Sequence, residues 1–107
     1  MDTMNIKDIP SNILLAATKY ADLKRTEGEA KLARERVAAQ LDTIIRNSGE
    51  KKPTEAAIAN TIKLHPEMEA AETALMEASH ALDKAKAELE FIRAVRDTTL
   101  FLAKESV

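Results

Sequence analysis

The chain has 107 residues, 16 Lys/Arg against 18 Asp/Glu for a net charge of −2, no cysteine or tryptophan, two glycines, three prolines and three aromatic side chains (Tyr20, Phe91, Phe101). That composition predicts an all-α protein and argues against a sheet, whose strands draw on β-branched and aromatic residues. It also excludes a disulfide framework, thiolate chemistry and a glycine-rich phosphate loop.

The N-terminus, "MDTMNIKDIPSN", lacks the basic region and apolar run of a signal peptide, and no stretch approaches the ~20 apolar residues that span a bilayer. A cytoplasmic protein is expected, with no membrane partner. Pro10-Ser11-Asn12 predicts a helix start, with Ser11 or Asn12 capping the first N–H groups. A helix over about 11–46 follows. Its apolar stripe runs through Ala16, Tyr20, Leu23, Ala30, Ala33, Val37, Leu41 and Ile44. The stripe is weakest at "RTEGEAK", where Gly28 predicts a soft point.

"RNSGEKKP" breaks this helix. Gly49 is expected in the left-handed C-cap conformation, and Pro53 prevents continuation. Thr54 caps a short helix over about 54–64, which must end at His65 because the residue before a proline is pushed out of the α region. His65 is expected to serve as a cap, and Pro66 to open the next helix, where its missing N–H costs nothing.

The last helix, about 66–104, carries a heptad. Met68, Leu75, Leu82 and Leu89 hold one position; Ala71, Ala78, Ala85 and Ile92 hold the other. Alternating large and small residues let two antiparallel helices approach closely. The pattern breaks at Arg96 and Thr99, where apolar residues spread around the helix. The expected architecture is one helical-hairpin domain over 1–107: two long antiparallel arms, a short helix at the bend, and self-association because each arm buries one stripe. Phe91, Ile92, Val95, Phe101 and Leu102 are the candidate oligomer contacts, since a helix end apolar on several faces docks onto something else.

Catalytic groups are scarce. The two histidines, His65 and His80, are fifteen residues apart, and no metal-ligand spacing occurs. No enzyme activity, cofactor or metal is expected. The charge is unevenly spread: residues 1–52 hold ten Lys/Arg against eight Asp/Glu, and residues 53–107 hold six against ten. On the first helix, Lys24, Arg25, Lys31, Arg36 and Arg46 fall within an arc of roughly 140° opposite the stripe, with Arg34 at its flank. Glu35 and Asp42 share that arc, so an ordinary solvated face and a phosphate-binding surface both remain open. Repetition of the arc in an oligomer would sum its field.

Several segments together resemble a family of bacteriophage proteins, the UvsY-type recombination mediators and their small relatives. They are the basic motif "KLARERV" (Lys31–Val37), the Gly/Lys-containing break, "PTEAAIANTIKLHPEMEAAETALMEA", and a long helix ending in "AVRDTTL". The third of these looks like the family's "E-x-x-I…D/H-P-E…A…L…A" segment, and the likeness spans about residues 12–102. The resemblance implies a homo-oligomer, ring-like in form, that binds single-stranded DNA without sequence preference. Such mediators displace a single-strand-binding protein and load a RecA-like recombinase. It places strand contacts at Lys31, Arg34 and Arg36, with Lys24 and Arg25 added by proximity, and oligomer contacts on the C-terminal helix. The chain departs from the family in its shorter length and acidic net charge. The alternative is a hairpin adaptor, scaffold or inhibitor that binds another protein and has no nucleic-acid role.

Overall fold

A computed structural model describes residues 2–49 and 51–105. The chain is all-α: a one-turn 3₁₀ helix (Ile6–Asp8), then α1 (Ile9–Asn47), α2 (Glu55–Leu64) and α3 (Pro66–Glu105). The chain divides into two compact units, one formed by Met1–Arg25 with His80–Val107, the other by Thr26–Ser79. Stretches of α1 and α3 run antiparallel within each compact unit, pairing Met4 with Thr99 and Lys19 with Glu88 in one and Glu27 with Ser79 and Arg34 with Glu72 in the other.

Local chemistry explains the element boundaries, with two corrections to the sequence expectation. Ser11 and Asn12 lie inside α1 rather than at its cap. The chain turns earlier, at Asn5, whose side chain accepts from the Lys7 N–H and starts the 3₁₀ turn that runs straight into α1. Pro10 is tolerated because its missing N–H falls within the first helical turn. At the other end, Gly49 does not adopt the left-handed conformation. Ser48 closes α1 instead: its N–H and its hydroxyl both donate to the Ile45 carbonyl, the latter at 3.0 Å.

The second bend follows expectation. The Thr54 side chain accepts from the Ala57 N–H at 3.1 Å, capping α2. His65 ends α2 in the extended conformation that Pro66 imposes, with φ −72° and ψ 135°. Its Nδ1 accepts from the Glu67 N–H at 3.1 Å and its carbonyl from the Glu69 N–H, so one residue terminates α2 and caps α3. An Nδ1 that accepts requires the neutral ring tautomer protonated at Nε2.

In the first unit, Ile9 from α1 and Ala85, Leu89 and Val95 from α3 are buried. Half-buried Ile13, Ala16, Tyr20 and Leu23 continue the seam on α1. The heptad on α3 does not stop at Thr99. That side chain is buried, and its Oγ1 accepts from the Met4 N–H at 3.0 Å, tying the N-terminal segment to the end of α3. A β-branched hydroxyl residue here fills the seam and satisfies a backbone donor at once.

In the second unit, Leu41 of α1, Ile58 of α2 and Met68 of α3 are the buried apolar side chains. Ile58 is the sole large side chain fully buried among the described residues, 2 % exposed. The seam of α1 departs from the predicted stripe at two places: Ala33 and Ile44 are exposed, Ile44 by 61 %, while Ile45 is half-buried. An α-helix drifts about 20° per heptad against a strict seven-residue repeat, so a step of four from Leu41 stays on the seam where a step of three leaves it. α1 is helical through Gly28, where an added Cβ would meet nothing within 4 Å.

Candidate nucleic-acid and self-association surfaces

The expected strand-contacting side chains divide between the two units. Lys24 and Arg25 belong to the first; Lys31, Arg34 and Arg36 belong to the second, and all five are exposed. Their electrostatic surroundings differ. Lys31 pairs with Glu27 at 3.3 Å, the favourable order of an i,i+4 pair on a helix. Arg34 reaches across to α3 and donates from Nε to Glu72 at 2.7 Å. Lys24 and Arg36 form no ion pair among the described residues.

The two paired cations sit near the seam for a reason visible in its spacing. Continuing the three–four steps from Leu23 gives 27, 30, 34 and 37, so Glu27 and Arg34 occupy core-facing or flanking positions that Ala30 and Val37 fill with apolar groups. Glu27 is accordingly the more enclosed, with its side chain 19 % exposed. It accepts from the Ser79 hydroxyl on α3 at 3.0 Å while holding Lys31. This is the physical content of the weak stripe at "RTEGEAK": a polar layer bridges the arms there, and Gly28 plays no direct part.

Arg46, the remaining basic residue of the arc, is committed to structure. It donates to both oxygens of Glu55, at 2.8 and 2.7 Å, and to Asp42, joining the end of α1 to the start of α2. Hydrogen bonding to Arg46, reinforced by its charge, holds the Glu55 carboxyl below the ordinary glutamate value. The same bonds raise the already high pKa of Arg46. Both ends of this contact lie in solvent, so its fork geometry specifies how α2 leaves the bend more than it stabilises the fold.

Taken by charge, the second unit holds seven Lys/Arg against ten Asp/Glu, a net of −3, and the first nine against eight, a net of +1. No described group of three or more His, Asp or Glu side chains is arranged to hold a metal ion. No described helix is long and apolar enough to cross a membrane.

The expected oligomer contacts all lie in the first unit. Phe91, Phe101 and Leu102 are exposed, Phe91 by 58 %. Ile92 is half-buried. Val95 is a correction: at 8 % exposed it is consumed by the chain's own seam and offers no surface to a second copy. Its step of three from Ile92 keeps it facing α1. Sequence reasoning passed over Leu14 and Leu15 of α1, which are among the most exposed large apolar side chains of this unit. Their adjacency is the signal: two neighbouring leucines cannot both face one seam at 100° per residue. Leu15 lines an open cleft of about 290 Å³ with Asn12, Ala16, Lys19, Glu88 and Ile92.

No family model matches the chain, and no characterised protein or solved structure is significantly similar to it.

Proposed function

We propose that this chain is a non-enzymatic helical hairpin that assembles into a homo-oligomer and, assembled, binds single-stranded DNA without sequence preference. In this reading it is a recombination mediator that helps load a RecA-like recombinase on a strand held by a single-strand-binding protein. The observation that carries it is the apolar surface of the first unit. Ile6, Leu14, Leu15, Phe91, Leu100 and Phe101 are all exposed there, against four apolar side chains buried. Covering such a surface with another copy supplies burial that a thin single-chain core lacks.

Strand binding is supported by Lys24 and Arg36, and by the weakness of the bridges that hold Lys31 and Arg34. Exposed ion pairs contribute about 0–1 kcal/mol, so a phosphate can replace Glu72 as the partner of Arg34 at little cost, while Lys31, 59 % exposed itself, has to leave a more enclosed Glu27. The net −3 of the second unit makes one copy a poor binder, and affinity has to come from repetition. Light scattering counts the subunits, and fluorescence anisotropy on a labelled oligo-dT reads binding. Removing one cation that neutralises a phosphate should flatten the salt dependence by about 0.7 in log–log slope. Arg36→Glu and Lys24→Glu should weaken binding while assembly persists. An intact oligomer that ignores the strand at low salt refutes the nucleic-acid role.

The second reading is an adaptor, scaffold or inhibitor that binds another protein. The internal pairing of Lys31 and Arg34 favours it, because it leaves the apolar surface as the dominant exposed feature. An oligomer that retains the strand in a salt-dependent way rules it out.

A further inference from the structure

Resting on the homo-oligomer reading, we propose that the cleft of the first unit is the surface on which a second copy docks, turned by a two-fold axis parallel to the helices. The cleft combines an apolar floor with two opposite charges. Leu15 stands 70 % exposed beside small Ala16, and Ile92 lies across on α3, so the surface offers a projecting side chain next to a hollow. Lys19 and Glu88 close one side of it, their charged atoms 3.1 Å apart and their side chains 56 % and 43 % exposed.

This charge arrangement selects the occupant. A partner bringing only negative charge meets Glu88, and one bringing only positive charge meets Lys19. A surface that satisfies both must present an anion where this one has a cation, a short distance from a cation where this one has an anion. A second copy does so under one orientation. Rotation about an axis parallel to the helices carries α1 of each copy over α3 of the other, which sets Lys19 against Glu88 of the second copy and Glu88 against its Lys19. Rotation about an axis across the helices would instead oppose lysine to lysine and glutamate to glutamate.

The selected orientation is also compatible with bundle packing. α1 and α3 are antiparallel within the unit, so laying α1 over the other copy's α3 makes every neighbouring pair antiparallel. That is the packing of an up-down four-helix bundle. Projecting Leu15 then packs on the α3 side of the other copy's cleft, at the level of Ile92, in the manner of knobs and holes. Like any two-fold contact it uses one patch twice, so both charge pairs form or neither does.

Charge reversal tests this with an asymmetric outcome. Lys19→Glu alone places four carboxylates around the axis, and Glu88→Lys alone places four ammonium groups, so each variant should assemble at least about ten-fold more weakly than wild type at low salt. Mixing the two, one isotopically labelled, should give heterodimers in about ten-fold excess over the statistical ratio by native mass spectrometry, because both crossed pairs are then attractive. The double variant Lys19→Glu/Glu88→Lys should recover wild-type assembly. Leu15→Glu, at a position that plays no part in the single-chain core, should lose assembly with helicity unchanged by circular dichroism. If wild type assembles but the mixed variants associate statistically, Lys19 and Glu88 pair only within one chain and the proposed interface is wrong. If wild type is a monomer at all concentrations, the homo-oligomer reading itself falls.

Discussion

Replacing Ile58 by alanine isolates the one fully buried side chain of α2. The side chain is 2 % exposed and is the only buried residue of that ten-residue helix. Three carbons leave a closed site, which at about 0.8 kcal/mol each gives about 2.4 kcal/mol of lost transfer energy. The unfilled space adds to this, so the expected cost is about 3 kcal/mol, within the range of about 2–5 kcal/mol for such truncations. Whole-chain stability is about 5–15 kcal/mol, so the loss is a large fraction of it. With an unfolding entropy of about 2.1 cal/mol/K per residue, the midpoint temperature should fall by about 13 °C. Urea titration followed at 222 nm, at one fixed protein concentration, measures the change. Hydrogen exchange adds a local readout, because a helix this short is marginal without docking and its amides should lose protection first. Leu64→Ala on the same helix is the control: its side chain is 73 % exposed and the cost should stay within about 0.5 kcal/mol. Should Ile58→Ala cost no more than Leu64→Ala, α2 is not held by burial and the account of the bend is wrong.

Three further outcomes follow from named interactions. Thr99→Val keeps the seam filled but removes the acceptor for the Met4 N–H, so urea unfolding should show a loss of about 1 kcal/mol and the Met4 amide should exchange faster. Gly28→Ala should stabilise by about 0.5–1 kcal/mol, since the glycine is helical and its Cβ direction is open; a loss of stability would contradict the helical, open environment of Gly28. The Glu55 carboxyl is depressed in the folded chain, so the Arg46 pairing contributes above the unfolded pKa of Glu55 and is lost as pH falls through the folded value. An NMR titration should place that carboxyl below ordinary glutamates, and Arg46→Gln should return it to their range.

The hairpin was readable because its signals are local and mutually consistent. Thr54, His65 and Pro66 act on their own neighbours through φ restriction and capping, and the structure uses all three. The α3 heptad was readable for the same reason, since Met68, Ala85 and Leu89 differ from their flanks in polarity alone. Other positions required knowledge of what lies opposite. Thr99 reads as a break in an apolar pattern until the N-terminal segment brings it a donor. Glu27 and Arg34 read as surface charges until Ser79 and Glu72 on α3 show why polar groups stand beside the seam. Gly49 reads as a left-handed cap, yet Ser48 ends the helix one residue earlier by binding the Ile45 carbonyl, which removes the need.

The same division applies to the interaction surfaces. Sequence alone determined that the chain is helical, that breaks fall near Pro53 and at Pro66, and that more apolar side chains exist than two seams can hold. Those properties depend on residues within a turn or two of each other. Tertiary structure decided which of them remain exposed: Val95 is spent on the internal seam while Leu15 and Phe91 stand clear of it. It also decided that Lys19 and Glu88, 69 positions apart, share one cleft, and that Lys31 and Arg34 carry carboxylate partners. Burial and charge pairing are relations between distant segments, and a helical period constrains only the side of the helix from which each partner must come.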